Sequence, residues 1–289
     1  MYRARVYKNS KKNTRSNKKS KIIQITMFAI YKQDDNTITH QKNRCMCLRN
    51  DVVESGRNSQ THANRCNKQV ISGTDFCSDH QNCMSTLRKF TSGYEPAYKP
   101  KDWSHPYIEA SHNCYSYFLD DKDDAIKEKC NELCLKSYQR GCPKKISECG
   151  DLKPQPGDYF TLLKDGTLQS KETEYYCPAM EKNIMSDNPS IKKVNFNGQC
   201  PKNFYKGAMV VDPNHTFHFY RQNPDGTWSH KPGTLPVTNV DADKRPIYVP
   251  HFANRDYERE DSNKEPIVYT DFCGYYCIPS SKYVVKNAL

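Results

Sequence analysis

The cysteines constrain this chain more than any other feature, because each of them must be reactive, metal-bound, cross-linked or buried. The 289-residue sequence contains 14 cysteines in separate groups, and only 36% of its residues are hydrophobic. The sequence contains no convincing secretory signal, so metal binding and catalysis are the uses we expect for them. Disulfides are expected only if the protein enters an oxidising compartment or particle.

The first group lies in a short Cys/His module, residues 41–85, which has no visible apolar core. Bound metal can supply the folding energy that packing cannot supply in such a segment. Cys77 and His80 are spaced so that one turn presents both to a metal. The candidate ligands of a tetrahedral structural zinc are Cys66, Cys77, His80 and one of Cys45 or Cys47. Disulfides or free thiols are the alternative, and Cys83 has no assigned partner.

A second group of four cysteines follows Cys114, and its first two members lie one turn apart in a predicted helix. Its members are Cys130, Cys134, Cys142 and Cys149. Cys130 and Cys134 lie in a context too polar for simple core residues, and nearby glycines and a proline predict loops around Cys142 and Cys149. We expect disulfides here if the protein matures outside the reducing cytosol, because local cross-links stabilise a region with a thin core.

The net charge of +11 is concentrated near the start of the chain, where residues 1–22 are rich in Lys and Arg and contain no acid. Such an arm is typical of a solvated, disordered tail. The more specific interpretation is that the arm contacts nucleic acid, a virion or a membrane surface. The apolar run at 22–30 is about half of a membrane span, and no small-residue cleavage site follows it. We therefore expect no transmembrane segment, and an intracellular or virion location is favoured over secretion. Translation can begin at Met1 or at Met27.

Composition divides the chain into four parts. These are a basic tail over 1–40, the Cys/His module over 41–85, a Pro- and Gly-containing linker over 86–105 and a main domain over 106–289. The main domain mixes helical and strand patterns, which predicts the α+β class. Helices are predicted from Cys114 and over 125–138, and strands over 159–163, 207–211 and 215–221.

The sequence around Cys114 is typical of a nucleophile at the start of a helix. Asn113 or Ser111 can cap that helix, and a helix N-terminus lowers the pKa of a thiol. A thiolate nucleophile needs a histidine as general base and a third polar group that orients the histidine. A small buried hydrophobe is the alternative interpretation of Cys114.

Two histidines on a predicted hairpin are the candidate partners of the thiol. Strand alternation places His218 on the face opposite Phe217 and Phe219. A three-residue loop over 223–225 would place His218 directly opposite His230, close enough for one imidazole to orient the other. A one-residue slip would separate them, so Asn239 and Asp241 are the reserve orienting groups. The other histidines His112, His215 and His251 are expected at the surface or in turns.

Several of these motifs together resemble the NlpC-type papain-fold peptidases, and most of all a divergent bacterial and viral branch. The motifs are Asn-Cys-Tyr at a helix start, Pro-Gly-Asp before a strand, His-x-Tyr within one, and Trp-Ser-His-Lys-Pro-Gly after a turn. The resemblance covers residues 107–280 and implies a papain-like fold with the helix of Cys114 packed on an antiparallel sheet. It implies His218 as base and His230 as third member. Phe219, where the family has a small residue, and the insert at 130–149 depart from the pattern.

The resemblance implies cleavage of peptide, amide or ester bonds, often in bacterial cell-wall peptides, although some relatives transfer acyl groups and some have lost activity. The Cys/His module is similar to short Cys-Cys-Cys-His modules of large DNA virus proteins. Three hypotheses therefore stay open. They are a cysteine-dependent hydrolase or acyltransferase, an inactive structural or virion-associated protein, and a nucleic-acid-binding protein that uses the basic tail and the zinc module.

Overall fold

The computed structural model describes residues 43–50, 64–137, 148–158, 174–213, 215–257 and 266–280. Some of the sequence-based predictions fall outside these ranges. They concern the basic tail over 1–40 with Met27, the strand over 159–163 and the pairing of Cys142.

Five α-helices lie in the described part of the chain. They are α1 (Cys83–Arg88), α2 (Pro106–Ser111), α3 (Cys114–Phe118), α4 (Asp124–Ser137) and α5 (Cys177–Asp187). Short 3-10 turns cover Ser78–His80, Pro100–Trp103, Glu148–Leu152 and Pro250–Phe252. None of the described helices has the length and apolar character that a membrane crossing requires.

A five-stranded antiparallel sheet forms the centre of the described structure. Its strands are β1 (Lys192–Val194), β2 (Phe204–Asp212), β3 (Thr216–Gln222), β4 (Trp228–Ser229) and β7 (Asp271–Pro279), in the order β1-β7-β2-β3-β4. Strands β5 (Asp256–Tyr257) and β6 (Ile267–Val268) pair separately. The α+β prediction with an antiparallel sheet is therefore confirmed.

Helix α3 packs on one face of this sheet, and the sequence explains both its start and its contacts. The side-chain oxygen of Asn113 accepts hydrogen bonds from the N–H groups of Tyr115 and Ser116, at 3.0 and 3.1 Å, which caps the helix as predicted. Phe118 packs on Phe219 of β3 with ring centroids 4.5 Å apart. This arrangement places Cys114, the first residue of α3, beside β3.

The predicted alternation along β3 is confirmed. Phe217 and Phe219 share an apolar cluster with Cys114 and α5, whereas Tyr220 belongs to the cluster on the opposite face. The ring of His218 follows the alternation and contacts the ring of Tyr220 at a centroid distance of 5.1 Å. His218 therefore lies on the face of the sheet that α3 does not cover.

The hairpin loop between β3 and β4 is longer than the three residues predicted. Arg221 pairs with Ser229 and Gln222 with Trp228, which leaves 223–227 as the loop. Continued by one pair, this register places Tyr220 opposite His230. A shift of two residues preserves the face on which each side chain lies, so His218 and His230 remain diagonal neighbours.

The Cys/His module packs directly on the second face of the sheet. A single apolar cluster joins residues of the module to residues of β3, β4 and β7; its members include Cys45, Leu48, Cys77, Tyr220, Trp228 and Tyr275. The segment over 86–105, which the sequence predicted as a linker, contributes the buried side chains of Leu87, Phe90 and Trp103. Burial against the sheet supplies the apolar contacts that the module lacks by itself.

Disulfides join distant parts of the chain. They are Cys47–Cys83, Cys130–Cys149, Cys177–Cys273 and Cys200–Cys277. Cys134 is also disulfide-bonded. The prediction of disulfides within 130–149 is thus confirmed for Cys130 and Cys149. The free thiols among the described residues are Cys45, Cys66, Cys77 and Cys114.

Candidate functional site

Three of those free thiols and one imidazole form a compact cluster that can hold a metal. The sulfurs of Cys45, Cys66 and Cys77 and one nitrogen of His80 all lie within 4.8 Å of one another. The sulfur–sulfur distance from Cys66 to Cys77 is 3.8 Å, and the His80 Nδ1 atom lies 3.2 Å from the Cys77 sulfur. Tetrahedral zinc with bonds of about 2.3 Å to sulfur requires sulfur atoms roughly 3.8 Å apart. The donor set and spacing therefore fit zinc.

Two copies of Asn-Arg-Cys, at 43–45 and 64–66, build this cluster. The segments run antiparallel, and each arginine donates to main-chain oxygens of the other copy: Arg44 Nε to Cys66 O at 2.7 Å, and Arg65 Nε to Cys45 O at 2.9 Å. The N–H groups two residues after Cys45 and Cys66 point at the two sulfurs, which favours their thiolates. The repeated tripeptide is the sequence signal that reveals this symmetry, and our sequence analysis missed it.

His80 is held in the tautomer that a metal ligand requires. Its Nε2 atom donates to the side-chain oxygen of Asn50 at 3.0 Å, which leaves the lone pair on Nδ1 facing the thiols. Burial lowers the pKa of His80 and raises the pKa of Cys45 to about 12. Burial therefore favours the uncharged forms of Cys45, Cys66 and His80, and a divalent ion would displace protons from these thiols.

Cys47 is not a ligand, which corrects one of the two alternatives for the fourth position. It forms a disulfide with Cys83 at the start of α1, so Cys45 takes the place in the cluster. This disulfide also provides the partner that the sequence analysis could not assign to Cys83.

The fourth free thiol, Cys114, lies where the helix meets β3. Its side chain is 5% exposed, and the backbone N–H of Phe219 points at its sulfur. Burial raises the pKa of Cys114 to about 12, while this N–H and the charge of Lys231 act in the opposite direction. The resting group is a neutral thiol, in contrast to the thiolate that a helix N-terminus alone would predict.

His218 and His230 form a hydrogen-bonded pair in which the position of the proton on each ring is fixed. The His218 Nε2 and His230 Nδ1 atoms lie 2.7 Å apart, and the His230 Nε2 atom lies 2.9 Å from the main-chain oxygen of Val240. A carbonyl oxygen only accepts hydrogen bonds, so His230 carries its proton on Nε2 and its Nδ1 accepts from His218. Burial lowers the pKa of both rings, that of His230 to about 4, so both are neutral. The lone pair of His218 is therefore on Nδ1.

The thiol of Cys114 lies close to the strand that carries His218, but it is not hydrogen-bonded to the histidine pair among the described residues. Within the described residues, no hydrogen bond connects the sulfur of Cys114 to either imidazole. The sulfur lies at the N–H of Phe219, the residue next to His218, while the ring of His218 lies on the other face of the strand.

The main-chain oxygen of Val240 orients His230, instead of either reserve side chain. Asp241 is buried and accepts from N–H groups of its own turn and of Asn254, so it shapes the loop that carries Val240. A backbone acceptor has no sequence signature, which is why side chains alone were considered. Of His112, His215 and His251, which were expected at the surface or in turns, only His215 is exposed. His112 and His251 are buried. The Nδ1 atom of His112 lies 3.0 Å from Ser111 Oγ, and the Nδ1 atom of His251 lies 2.5 Å from the Tyr275 hydroxyl.

Lys231 is a structural residue of this region that the sequence analysis did not identify. Its ammonium donates to the main-chain oxygens of Glu109 at 3.0 Å and Gly233 at 2.6 Å, and burial lowers its pKa to about 7. The contact ties α2, which precedes Cys114, to the segment after His230. Lysines are seldom buried, and no feature of the sequence marks this one as an exception.

The metal cluster and the histidine pair are connected through one carboxylate. Asp75, two residues before Cys77, accepts from Arg245 at 3.1 Å and from the hydroxyl of Tyr248 at 2.9 Å. Arg245 closes the turn that begins at Asp241, next to the carbonyl that orients His230. The module thus supports the loop behind the imidazole pair.

No protein-family model matches the chain, and no solved structure matches it. Among curated proteins, insoluble matrix shell protein 1 of Ruditapes philippinarum is 37% identical over 68 residues. The match covers 24% of this chain and 38% of that protein, so the chain spans well under two thirds of the relative's length. The comparison therefore provides a partial relative of the chain without assigning the chain to a family.

Proposed function

We propose that the protein is a cysteine-dependent hydrolase or acyltransferase of papain-like type that acts on peptide or amide bonds, including cell-wall-like amides. The observation that carries the proposal is the fixed tautomer of His218. The hydrogen bonds from His218 to His230 and from His230 to Val240 leave a basic lone pair on His218 Nδ1, with no partner for it among the described residues.

The reaction begins from a neutral thiol and a neutral imidazole. The mechanism requires the ring of His218 to reach the sulfur of Cys114, because the two lie on opposite faces of β3 and no hydrogen bond joins them among the described residues. As the sulfur then attacks the carbonyl carbon, its proton passes to His218 Nδ1, and the N–H of Cys114 at the helix start stabilises the oxyanion. His218 returns that proton to the leaving amine when the C–N bond breaks, which leaves a thioester on Cys114. Attack by water completes hydrolysis, and attack by a second amine or alcohol completes acyl transfer.

Acylation by a small activated ester tests this mechanism. We expect p-nitrophenyl acetate to acetylate Cys114, with release of nitrophenol, and we expect His218→Gln to slow the reaction by roughly 10²-fold or more, the usual contribution of a general base. Cys114→Ala gives the background, and His215→Gln is the matched control because His215 lies exposed just before the same strand. Equal acylation of the wild type and His218→Gln, or none above background, would reject the proposal.

A structural role in an extracellular-type matrix is the second candidate. The name of the shell-matrix relative, the disulfides and the nearly complete burial of Cys114 support it. Disulfides are typical of oxidising compartments, which disfavours the reducing cytosol that the sequence suggested. Nucleic-acid or virion contact through the basic tail stays a prediction. An inert Cys114 in the acylation experiment would favour the matrix role.

We further propose that the cluster of three cysteines and His80 holds a structural zinc ion. Cys66 and Cys77 lie 3.8 Å apart and stay reduced in a chain whose other described cysteines, apart from Cys45 and Cys114, are cross-linked. Neighbouring buried thiols in a chain that has formed disulfides are expected to oxidise unless a metal occupies them. Zinc would hold together the two Asn-Arg-Cys segments and the turn of His80.

A further inference from the structure

An open cavity gives solvent access to one side of the metal cluster. Its volume is about 570 Å³, and its lining includes His80 and Cys66. Of the three cysteines in the cluster, only Cys66 lines this cavity. The side chains of Asn67 and Lys68 at its rim are exposed. A solute of the size of hydrogen peroxide can therefore approach Cys66 while the module stays folded.

A second sulfur lies in contact with Cys66 and is in a position to form a disulfide with it. The Sγ atom of Cys77 is 3.8 Å away, whereas the sulfurs of a disulfide are about 2.05 Å apart. Cys77 immediately precedes the short 3-10 turn Ser78–His80, so a small rotation of its side chain and of this turn closes the gap.

Bound zinc would hold this sulfur pair in its reactive form. Zinc deprotonates the thiols that coordinate it, and the thiolate is the form of cysteine that peroxides oxidise. A zinc ion also keeps the coordinating sulfurs apart, so they do not pair directly with each other. The loaded cluster therefore presents one accessible thiolate, Cys66, with a second thiolate, Cys77, beside it.

We propose that the metal cluster is a redox-sensitive site at which a peroxide, entering through this cavity, oxidises Cys66 and Cys77 to a disulfide and releases the zinc ion. This redox role rests on the zinc proposed above and goes beyond its structural role, because the module then has a metal-bound and a metal-free form. Cys45 and His80 are the two ligands that remain, and a structural zinc site requires four.

The reaction balances with one molecule of hydrogen peroxide for each zinc ion. The Cys66 thiolate attacks one peroxide oxygen, the O–O bond breaks, and the departing hydroxide takes a proton from solvent to form water. The Cys77 thiolate then attacks the sulfur of the resulting sulfenic acid. The S–S bond forms, the S–O bond breaks, and a second hydroxide leaves and is protonated to water. The two sulfurs together lose the two electrons that the peroxide gains.

The oxidised module would stay attached to the rest of the chain while its contact with the neighbouring turn changes. The Cys47–Cys83 disulfide closes the same segment and is not consumed by the reaction. Asp75, two residues before Cys77, accepts a hydrogen bond from Arg245 at 3.1 Å. A shift of Cys77 toward Cys66 is therefore transmitted to the turn that contains Arg245.

Oxidation of the metal-loaded full chain with hydrogen peroxide, in the absence of reductant, tests the proposal. We expect about one equivalent of peroxide to release about one zinc per chain to a chromogenic chelator, the content of a single four-ligand site. A sample without peroxide gives the baseline. Mass mapping should show a new Cys66–Cys77 disulfide in addition to the existing ones. Dimedone, which traps sulfenic acids, should label Cys66 when it is added with the peroxide, because Cys66 lines the cavity.

A variant that narrows the cavity tests the route of the peroxide. Asn67→Trp places a large side chain at the rim and should slow zinc release, whereas Gln69→Trp is the matched control at an exposed position that does not line the cavity. The zinc content of each variant is measured before oxidation. Equal rates of release in zinc-loaded Asn67→Trp and in the wild type would overturn entry through the cavity.

The outcomes distinguish failure of the redox role from failure of the zinc assignment. A purified wild type without zinc would overturn both. A wild type that contains zinc and keeps it in the presence of peroxide would overturn the redox role alone. Zinc release without a Cys66–Cys77 disulfide, or with dimedone on Cys45 or Cys77 in place of Cys66, would overturn the redox role as well.

Discussion

At the scale of single residues, hydrogen bonds decide what each histidine can do. The Nε2 atom of His80 donates a hydrogen bond to Asn50, so the lone pair on its Nδ1 atom faces the thiols. The Nε2 atom of His218 donates to His230, so the Nδ1 atom of His218 keeps a basic lone pair. His112 has its Nε2 buried without a partner among the described residues, and burial lowers its pKa to about 4. Such a ring stays neutral and contributes packing against Trp103.

The zinc assignment predicts a metal content that depends on one sulfur. We expect the purified protein to contain about one zinc per chain, the stoichiometry of a tetrahedral site of four protein ligands. The Cys77→Ser variant should lose the metal, because the sulfur of Cys77 lies in the cluster next to both the sulfur of Cys66 and the Nδ1 atom of His80, at 3.8 and 3.2 Å. Elemental analysis measures the content, with Cys114→Ala as a control that removes a buried free cysteine elsewhere. A folded wild type without metal would contradict the assignment.

The buried histidine pair predicts how stability depends on pH. The pKa values of His218 and His230 are lower in the folded protein than in the unfolded chain, so the unfolded chain binds more protons below its pKa of about 6.5. Stability is thus full above that pH and falls as the pH decreases toward about 4, where His230 itself titrates. His230→Gln should flatten this fall in denaturation curves, while His215→Gln, an exposed control, should not. An unchanged pH dependence in His230→Gln would contradict the burial of a neutral ring.

At the scale of elements, sequence patterns correctly predicted the features that depend on local interactions, such as strand alternation and helix capping. Alternation placed His218 and Phe219 on opposite faces, and the preference of Asn for helix caps placed Cys114 at a helix start. The loop over 223–227 was misjudged because its length depends on contacts outside the hairpin. Gly226, at φ +89°, lies so close to α1 that a Cβ atom would be 2.9 Å from the backbone of Leu87 and Arg88.

The contact between the module and the Asp241 turn predicts coupling between the two sites. Asp75→Asn removes the charge that holds Arg245 and Tyr248, and we expect it to lower the free energy of unfolding by about 1–2 kcal/mol, given the partial exposure of the ion pair. Acylation of Cys114 should also slow, because the loop behind His230 is loosened. Denaturation and acylation rates measure the two effects, and Asp102→Asn is the control on an exposed turn. A loss of stability without a change in acylation would show that the contact supports the fold alone.

At the scale of the whole molecule, the sequence could not reveal which cysteines pair or where the module packs. Pairing depends on which strands and helices meet, and Cys177 on α5 meets Cys273 on β7 across 96 residues. The sharing of one apolar cluster between the module and the sheet likewise depends on the complete topology. Composition did identify the module as short of apolar residues, which is the reason that it needs contacts with the sheet and the disulfide at Cys47.

The disulfides differ in the length of chain that they close, and this predicts unequal contributions to stability. Closing a longer loop removes more entropy from the unfolded chain, about 4.7 kcal/mol for some 100 residues and about 3 kcal/mol for some 15. In a Cys200→Ala/Cys277→Ala background, which removes the overlapping cross-link that would otherwise shorten the closed loop, the double substitution Cys177→Ala/Cys273→Ala, with a separation of 96 residues, should therefore cost more than Cys130→Ala/Cys149→Ala, with a separation of 19. Chemical denaturation of the metal-loaded protein without reductant measures both. The long-range pair also joins α5 to the central sheet, whereas Cys130–Cys149 joins α4 to the neighbouring 3-10 turn. A larger loss from the short-range pair would mean that local strain or residual structure, instead of loop entropy, sets the contribution of these cross-links.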